Sequence, residues 1–205
     1  LSEKEETQIN VAPGLNMMKV PDGLKGNVKE ISTGATFSVG VDNDGKVYVW
    51  GYTKISNKID IAKKMPKQKE MGKVVSVSAG FDHVMALNED GELFIWGSDR
   101  MGQCQVPMEV KHEKIKQIAA GYQISYVLTE DGEVIAWGNE NLNDVRLTRR
   151  NGNSHIAKIS VANTTLMALT DDGEIRHLGS QKSDISNIPE DLGKAKDIVT
   201  TSDAC

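Results

Sequence analysis

The sequence predicts an all-β chain: a β-propeller of four-stranded blades, about four of them complete, with partial blades at both ends, hence an incomplete arc of a larger propeller. Three observations predict it. An Asp-Gly pair recurs at Asp44-Gly45, Asp90-Gly91, Asp131-Gly132 and Asp172-Gly173, with glycine-to-glycine spacings of 46, 41 and 41 residues. A Trp-Gly pair follows at a fixed offset as Trp50-Gly51, Trp96-Gly97 and Trp137-Gly138, with the degenerate Leu178-Gly179 in the fourth unit. Eleven residues before each Asp-Gly glycine stand Gly34, Gly80, Gly121 and then Ala162. Short strands repeated with this period are the signature of propeller blades.

Each element has its own justification. An Asp-Gly pair between alternating apolar stretches reads as a hairpin, because glycine supplies the positive φ that a tight turn requires. In the second unit His83 to Leu87 forms one arm and Leu93 to Trp96 the other. A strand precedes them from Val74 to Ser78, and its apolar positions recur as Val28 and Ile31, Ile115 and Ile118, and Ile156 and Ile159. A fourth, weaker strand is expected near Gln105-Val106-Pro107, with the proline marking its edge or end. One domain of 1–205 then divides into repeats 28–73, 74–114, 115–155 and 156–194. Residues 1–27 read as the tail of a preceding blade, since Val20-Pro21 matches Val106-Pro107 and Ile188-Pro189. Residues 195–205 read as the start of a further one, since Ile198 to Ala204 resembles Ile159 to Thr165. Neither end piece buries its apolar face alone, so further blades or another subunit are expected on the open edges.

Composition bounds the function. The 205 residues are 39% hydrophobic and 26% charged with 19 Gly and 5 Pro, which excludes disorder and collagen. A formal net charge of -5 argues against nucleic acid as a partner. The acidic start Leu1 to Glu6 is no export signal and no apolar run is long enough to span a membrane, so the localisation stays open. Cys104 and Cys205 are compatible with one disulfide, two thiols or nothing of consequence.

Chemical motifs yield little. Gly40 to Lys46 has the spacing of a phosphate-binding loop, but Val47 follows where Ser or Thr is needed and carboxylates sit inside it. Its glycine comes too early for a calcium loop. The histidines His83, His112, His155 and His177 share no ligand spacing, so neither metal nor cofactor is expected. His83 is expected to donate a hydrogen bond within its own blade, and Trp50, Trp96 and Trp137 to pack between blades. With no nucleophile elbow and no Ser, His and Asp grouping, the reading is not an enzyme. Asn163-Thr164-Thr165 matches a glycosylation sequon and is read as chance.

The informative positions vary at a fixed structural place. The short connections Ala35-Thr36, Phe81-Asp82, Tyr122-Gln123 and Asn163-Thr164 are expected on one face near the axis, where rigid frames present binding loops. Phe81, Asp82, Tyr122, Gln123, Asn163 and Thr164 are therefore the candidate partner-binding residues, the partner being another protein. Phe81 and Tyr122 are either interface anchors or rings tucked against neighbouring blades, with equal weight. The insertion Tyr52 to Lys73, with Lys63, Lys64, Lys67 and Lys69, reads first as a solvated loop and second as a contact for an acidic partner, as does Arg146 to Arg150.

The string Val77-Ser78-Ala79-Gly80-Phe81-Asp82-His83, with Leu87, Asp90-Gly91, Trp96-Gly97 and Gly102-Gln103, resembles the regulator of chromosome condensation repeat. Ala119-Ala120-Gly121, Leu128, Asp131-Gly132 and Trp137-Gly138-Asn139 fit the same pattern, and the likeness extends in weaker form over about residues 28 to 205. The resemblance implies a propeller, usually of seven blades. Of the family's characteristic histidines this chain keeps only His83, with Phe37, Ile124 and Thr165 elsewhere, and the fourth unit has lost its glycine and tryptophan. Relatives range from a nuclear exchange factor to light sensors, ubiquitin-ligase modules, inhibitors of β-lactamases, bacterial effectors and phage proteins, and fold does not select among them. The expected function is a non-enzymatic interaction or scaffold module within a larger protein or assembly. The alternatives are a guanine-nucleotide exchange factor for a small GTPase and a proteinaceous enzyme inhibitor.

Overall fold

The computed structural model describes residues 19–139, 155–162, 165–178, 188–189 and 191–200. Four antiparallel meanders follow one another along the chain. The first holds β1 (Val28–Thr33), β2 (Phe37–Asp42) and β3 (Val47–Gly51), the second β4 (Val74–Ala79), β5 (His83–Asn88) and β6 (Leu93–Gly97). The third holds β7 (Ile115–Ala120), β8 (Ile124–Thr129) and β9 (Val134–Gly138), the fourth β10 (Ile156–Ala162), β11 (Thr165–Thr170) and β12 (Ile175–Leu178). The first strands β1, β4, β7 and β10 lie side by side and line one axial cleft, so the chain is an arc of propeller blades.

The apolar pairs three residues apart in the first strands do not fit the two-residue period of a strand. A β-bulge resolves them. The register shifts between Val28 and Glu30, Val74 and Ser76, Ile115 and Gln117, and Ile156 and Lys158, the same place in every blade. The extra residue turns both members of each pair toward the preceding blade. Val74 and Val77 accordingly join Phe37, Val39 and Val41 of the first blade in one core, and Ile156 and Ile159 join Tyr126 and Leu128 of the third.

The hairpins form at the Asp-Gly pairs with the glycine at positive φ, +83° at Gly45, +82° at Gly91, +76° at Gly132 and +88° at Gly173. The residue three before it closes the turn: Asp42, Asn88, Thr129 and Thr170 are buried. Their side-chain oxygens accept the N–H groups of Lys46, Glu92, Glu133 and Glu174 respectively. Composition varies at this position, but an acceptor is always present.

The expected fourth strand is not formed in the second blade, where Gln105 to Pro107 joins no ladder. Its proline opens a turn instead. Leu24 N–H donates to Pro21 O at 2.9 Å, Val110 N–H to Pro107 O at 3.1 Å and Leu192 N–H to Pro189 O at 3.2 Å. A fixed φ suits a turn start, and a residue without N–H offers a ladder nothing. The first two turns drop Leu24 and Val110 into the core.

The insertion is not a solvated loop. It folds into α1 (Ile61–Lys64) and α2 (Gln68–Met71), burying Ile59, Ile61 and Met71 between the first two blades. Lys64 Nζ donates to Gly97 O at 3.0 Å, while Gln68 accepts from Val47 N–H and donates to the carbonyls of Gly45 and Gly72. Arg146 to Arg150 lies outside the described residues.

Among the described residues, exposure marks the first blade as one end of the arc. Val28 and Ile31 are 43% and 47% exposed, whereas their counterparts are 0% and 2% at Val74 and Val77 and 7% and 1% at Ile156 and Ile159. Trp50 is half-buried where Trp96 and Trp137 are buried against the preceding blade. At the other end Ile198 covers Met167 and Leu169 as the first strand of a further unit would.

Candidate partner-binding face

The connections between first and second strands cluster at one end of the axis because the repeat glycine brings successive blades into close approach. A Cβ on Gly34 would stand 2.5 Å from Gly80 O, and one on Gly80 2.5 Å from Gly121 O. Only hydrogen fits there. Side chains below this contact hold the blades in register. Ser32 Oγ accepts Ala79 N–H at 2.9 Å, Ser78 Oγ accepts Ala120 N–H at 2.9 Å and Ser160 Oγ accepts Thr200 N–H at 2.8 Å. The third blade has Ala119 at this position and uses Gln117 instead, whose amide accepts from Ile159 N–H at 2.9 Å and donates to Ile159 O at 2.7 Å. Glu30 Oε2 at the equivalent position only accepts, from Val77 N–H at 3.0 Å.

The loop ends are fixed as well. Tyr52, Ser98 and Asn139, each following a Trp-Gly or its equivalent, donate their N–H groups to the carbonyls of Thr36, Asp82 and Gln123 at 2.8, 2.9 and 2.9 Å. Phe81 N–H reaches the next blade at Gly121 O, 3.1 Å away. This tether sets the Phe81 and Tyr122 rings edge to face, with centroids 4.8 Å apart and planes at 61°. Phe81 is 43% exposed and Tyr122 half-buried, so the pair forms an accessible ridge. Beside it a separate cavity of about 520 Å³ opens at this end of the axis, lined by uncharged residues including Phe81 itself, Gly34, Ala35 and Ala120.

The other candidates fare differently. Asp82 is only 4% exposed and lies in the interior rather than on the expected face, because its carboxyl is held by Gln103 of the following loop and by the polar groups of His83 and Ser98. Gln123 adopts a left-handed φ of 58°, and its Oε1 accepts from Asn139 Nδ2 at 3.3 Å. Asn163 and Thr164 lie outside the described residues.

His83 departs from expectation in its partner. Ser125 Oγ donates to Gln103 O at 2.8 Å, which leaves His83 Nε2 as donor to Ser125 Oγ across the blade boundary at 3.0 Å. Trp137 Nε1 donates to the same Gln103 carbonyl at 3.0 Å, and Gln103 Nε2 to Asp82 Oδ1 at 3.2 Å. Asp82, His83 and Ser125 thus form a row that sequence alone did not suggest, His83 Nδ1 standing 3.8 Å from Asp82 Oδ1. The row is buried throughout and its hydroxyl proton is committed to a carbonyl, so it fastens one blade to the next. Burial would raise the Asp82 carboxyl, but the polar groups of His83, Ser98 and Gln103 outweigh it and hold it below the ordinary range. Burial, together with the charges of Asp99 and Asp82, pushes the neighbouring Cys104 thiol up to about 12.

Among solved structures the chain is similar to Prp20p of Saccharomyces cerevisiae, with 24% identity and a TM-score of 0.63 over 82% of this chain and 47% of that one. It is also similar to the ectodomain of the Physcomitrella patens receptor kinase CR4, with 21% identity and a TM-score of 0.58 over 75% of this chain and 39% of that one. Human WBSCR16 is 23% identical with a TM-score of 0.56, over 74% and 47% of the two chains. At these identities the likeness is one of fold, and the chain spans about half the length of these proteins or less. No curated protein matches it. Residues 28–53, 74–103 and 115–143 match the Regulator of chromosome condensation (RCC1) repeat. With the blades, the repeat glycines and the tryptophans all in that register, the chain carries repeats of the regulator of chromosome condensation type.

Proposed function

We propose that this chain is a non-enzymatic protein-binding module which offers the Phe81 and Tyr122 face to another protein, within a larger protein or assembly. The observation that supports this reading is the ridge itself: two aromatic rings from consecutive blades, in contact and accessible, on loops whose backbones are already hydrogen-bonded. Such a surface loses little further freedom on binding, and aromatic anchors carry a large share of interface energy. The double change Phe81→Ala and Tyr122→Ala should abolish recovery of the partner captured by the wild-type chain while leaving denaturant unfolding nearly unchanged. Undiminished capture would move the interface elsewhere.

The structure of Prp20p was reported with its binding to Gsp1p and histones. Those two classes are therefore the first probes. Accelerated nucleotide release from a small GTPase would replace the scaffold reading with that of an exchange factor.

A further inference from the structure

At the end of the arc opposite the aromatic ridge, three of the four blade boundaries close in one way. The hairpin glycine carbonyl accepts an N–H from the strand entering the next blade: Gly45 O from Val74 at 3.0 Å, Gly132 O from Ile156 at 3.3 Å and Gly173 O from Ala195 at 2.9 Å. The glycine also rests on the stem of the residue just before that N–H, which is basic or imidazole in each case: Lys73, His155 and Lys194.

The second boundary is different. Its equivalent pair, Lys114-Ile115, stands away from Gly91, which has nothing within 4 Å of where a Cβ would lie and whose carbonyl, among the described residues, accepts no main-chain N–H from the next blade. A cleft of about 550 Å³ opens there. Leu93, Val106, Val110 and Ile115 form its apolar floor, Asp90 and Glu113, which join no ion pair among the described residues, stand at its rim, and Lys111, His112 and Lys114 line it beside them.

We infer that this cleft is a second binding site, which takes an extended peptide segment carrying a basic residue followed by an aliphatic one. The occupant is specified by the chain's own closed boundaries, where a Lys-Val pair fills the same place against Gly45. The peptide N–H takes the Gly91 carbonyl, the aliphatic side chain takes the apolar floor, and the basic group faces Asp90 and Glu113. The site lies at the opposite end of the blades from Phe81 and Tyr122 and does not depend on the function proposed for them.

The probe is the capped pentapeptide Gly-Lys-Val-Val-Ser, which copies residues 72–76, titrated into the ¹⁵N-labelled chain. Saturable amide shifts confined to residues 89–93 and 110–115 are expected. They should weaken at least tenfold when the peptide lysine becomes glutamate, and likewise in the Asp90→Lys, Glu113→Lys double variant. Absence of saturation, shifts centred elsewhere, or equal shifts with the glutamate peptide would overturn the inference. So would an Ile115 amide as slow to exchange as those of Val74 and Ile156, because the boundary would then be closed by the chain itself. The glutamate peptide keeps the test decisive if the double variant does not fold.

Discussion

His83 Nε2 lies 3.0 Å from Ser125 Oγ, so the family's characteristic histidine in this chain fastens the second blade to the third rather than bracing its own blade. Ser125→Ala leaves a buried imidazole N–H without its acceptor and also strips the Gln103 carbonyl of one donor. A loss of about 1–3 kcal/mol is expected, seen as a lower urea midpoint at unchanged slope. His83→Ala should cost at least as much, because it adds a cavity to the lost bond.

The register side chains predict a gain as well as a loss. Ala119 occupies the place of Ser32, Ser78 and Ser160, directly before the one boundary that lacks a serine acceptor. Ala119→Ser should supply one to Val161 N–H and stabilise by about 0.5–1 kcal/mol, and Ser78→Ala should destabilise by a similar amount. Thermal unfolding of the two variants side by side checks both signs.

Gly132 combines a φ of +76° with the approach of His155, whose Cβ would stand 2.8 Å from an added Cβ. Gly132→Val is expected to cost more than about 1 kcal/mol in denaturant unfolding, since a β-branched residue is forced into the left-handed region.

Cys104 gives a pH signature. Its thiol is held protonated up to about 12 against an ordinary value near 9, so the unfolded chain releases the proton first as pH rises. The contribution to stability is fully present below about pH 9 and lost progressively between about 9 and 12, as titration of the unfolding free energy should show. Alkylation at pH 8 is expected to be at least ~100-fold slower in the folded chain than in urea, following the thiolate fraction.

The blades were legible because their signals are local. Gly91 at positive φ, Trp96 against the preceding blade and the paired arms of the hairpin all follow from residues within one unit. Apart from the indole packing, what one unit needs from the next was not legible. The partner of His83 is 42 residues away. The boundary acceptors fall at two repeat positions, Ser32, Ser78 and Ser160 at one and Glu30 and Gln117 at the other, and on a strand facing the axis they resemble ordinary solvated positions. Val106-Pro107 misled for the opposite reason, since its β-branched residue beside a proline reads as a strand end when the proline in fact starts a turn. Of the candidate site, the aromatic pair was identified from its repeat position, whereas the interior place of Asp82 depends on Gln103, a residue of the following loop.

Beside the side-chain donors His83 and Gln117, five donors at the blade boundaries are main-chain N–H groups, at Val77, Ala79, Ala120, Ile159 and Thr200. Every L-residue except proline brings one, so at these five contacts an incoming unit needs no matching side chain. A gene that gains or drops one repeat therefore keeps a workable joint on either side of the splice, and arcs of differing size can descend from a single ancestor without coordinated mutation.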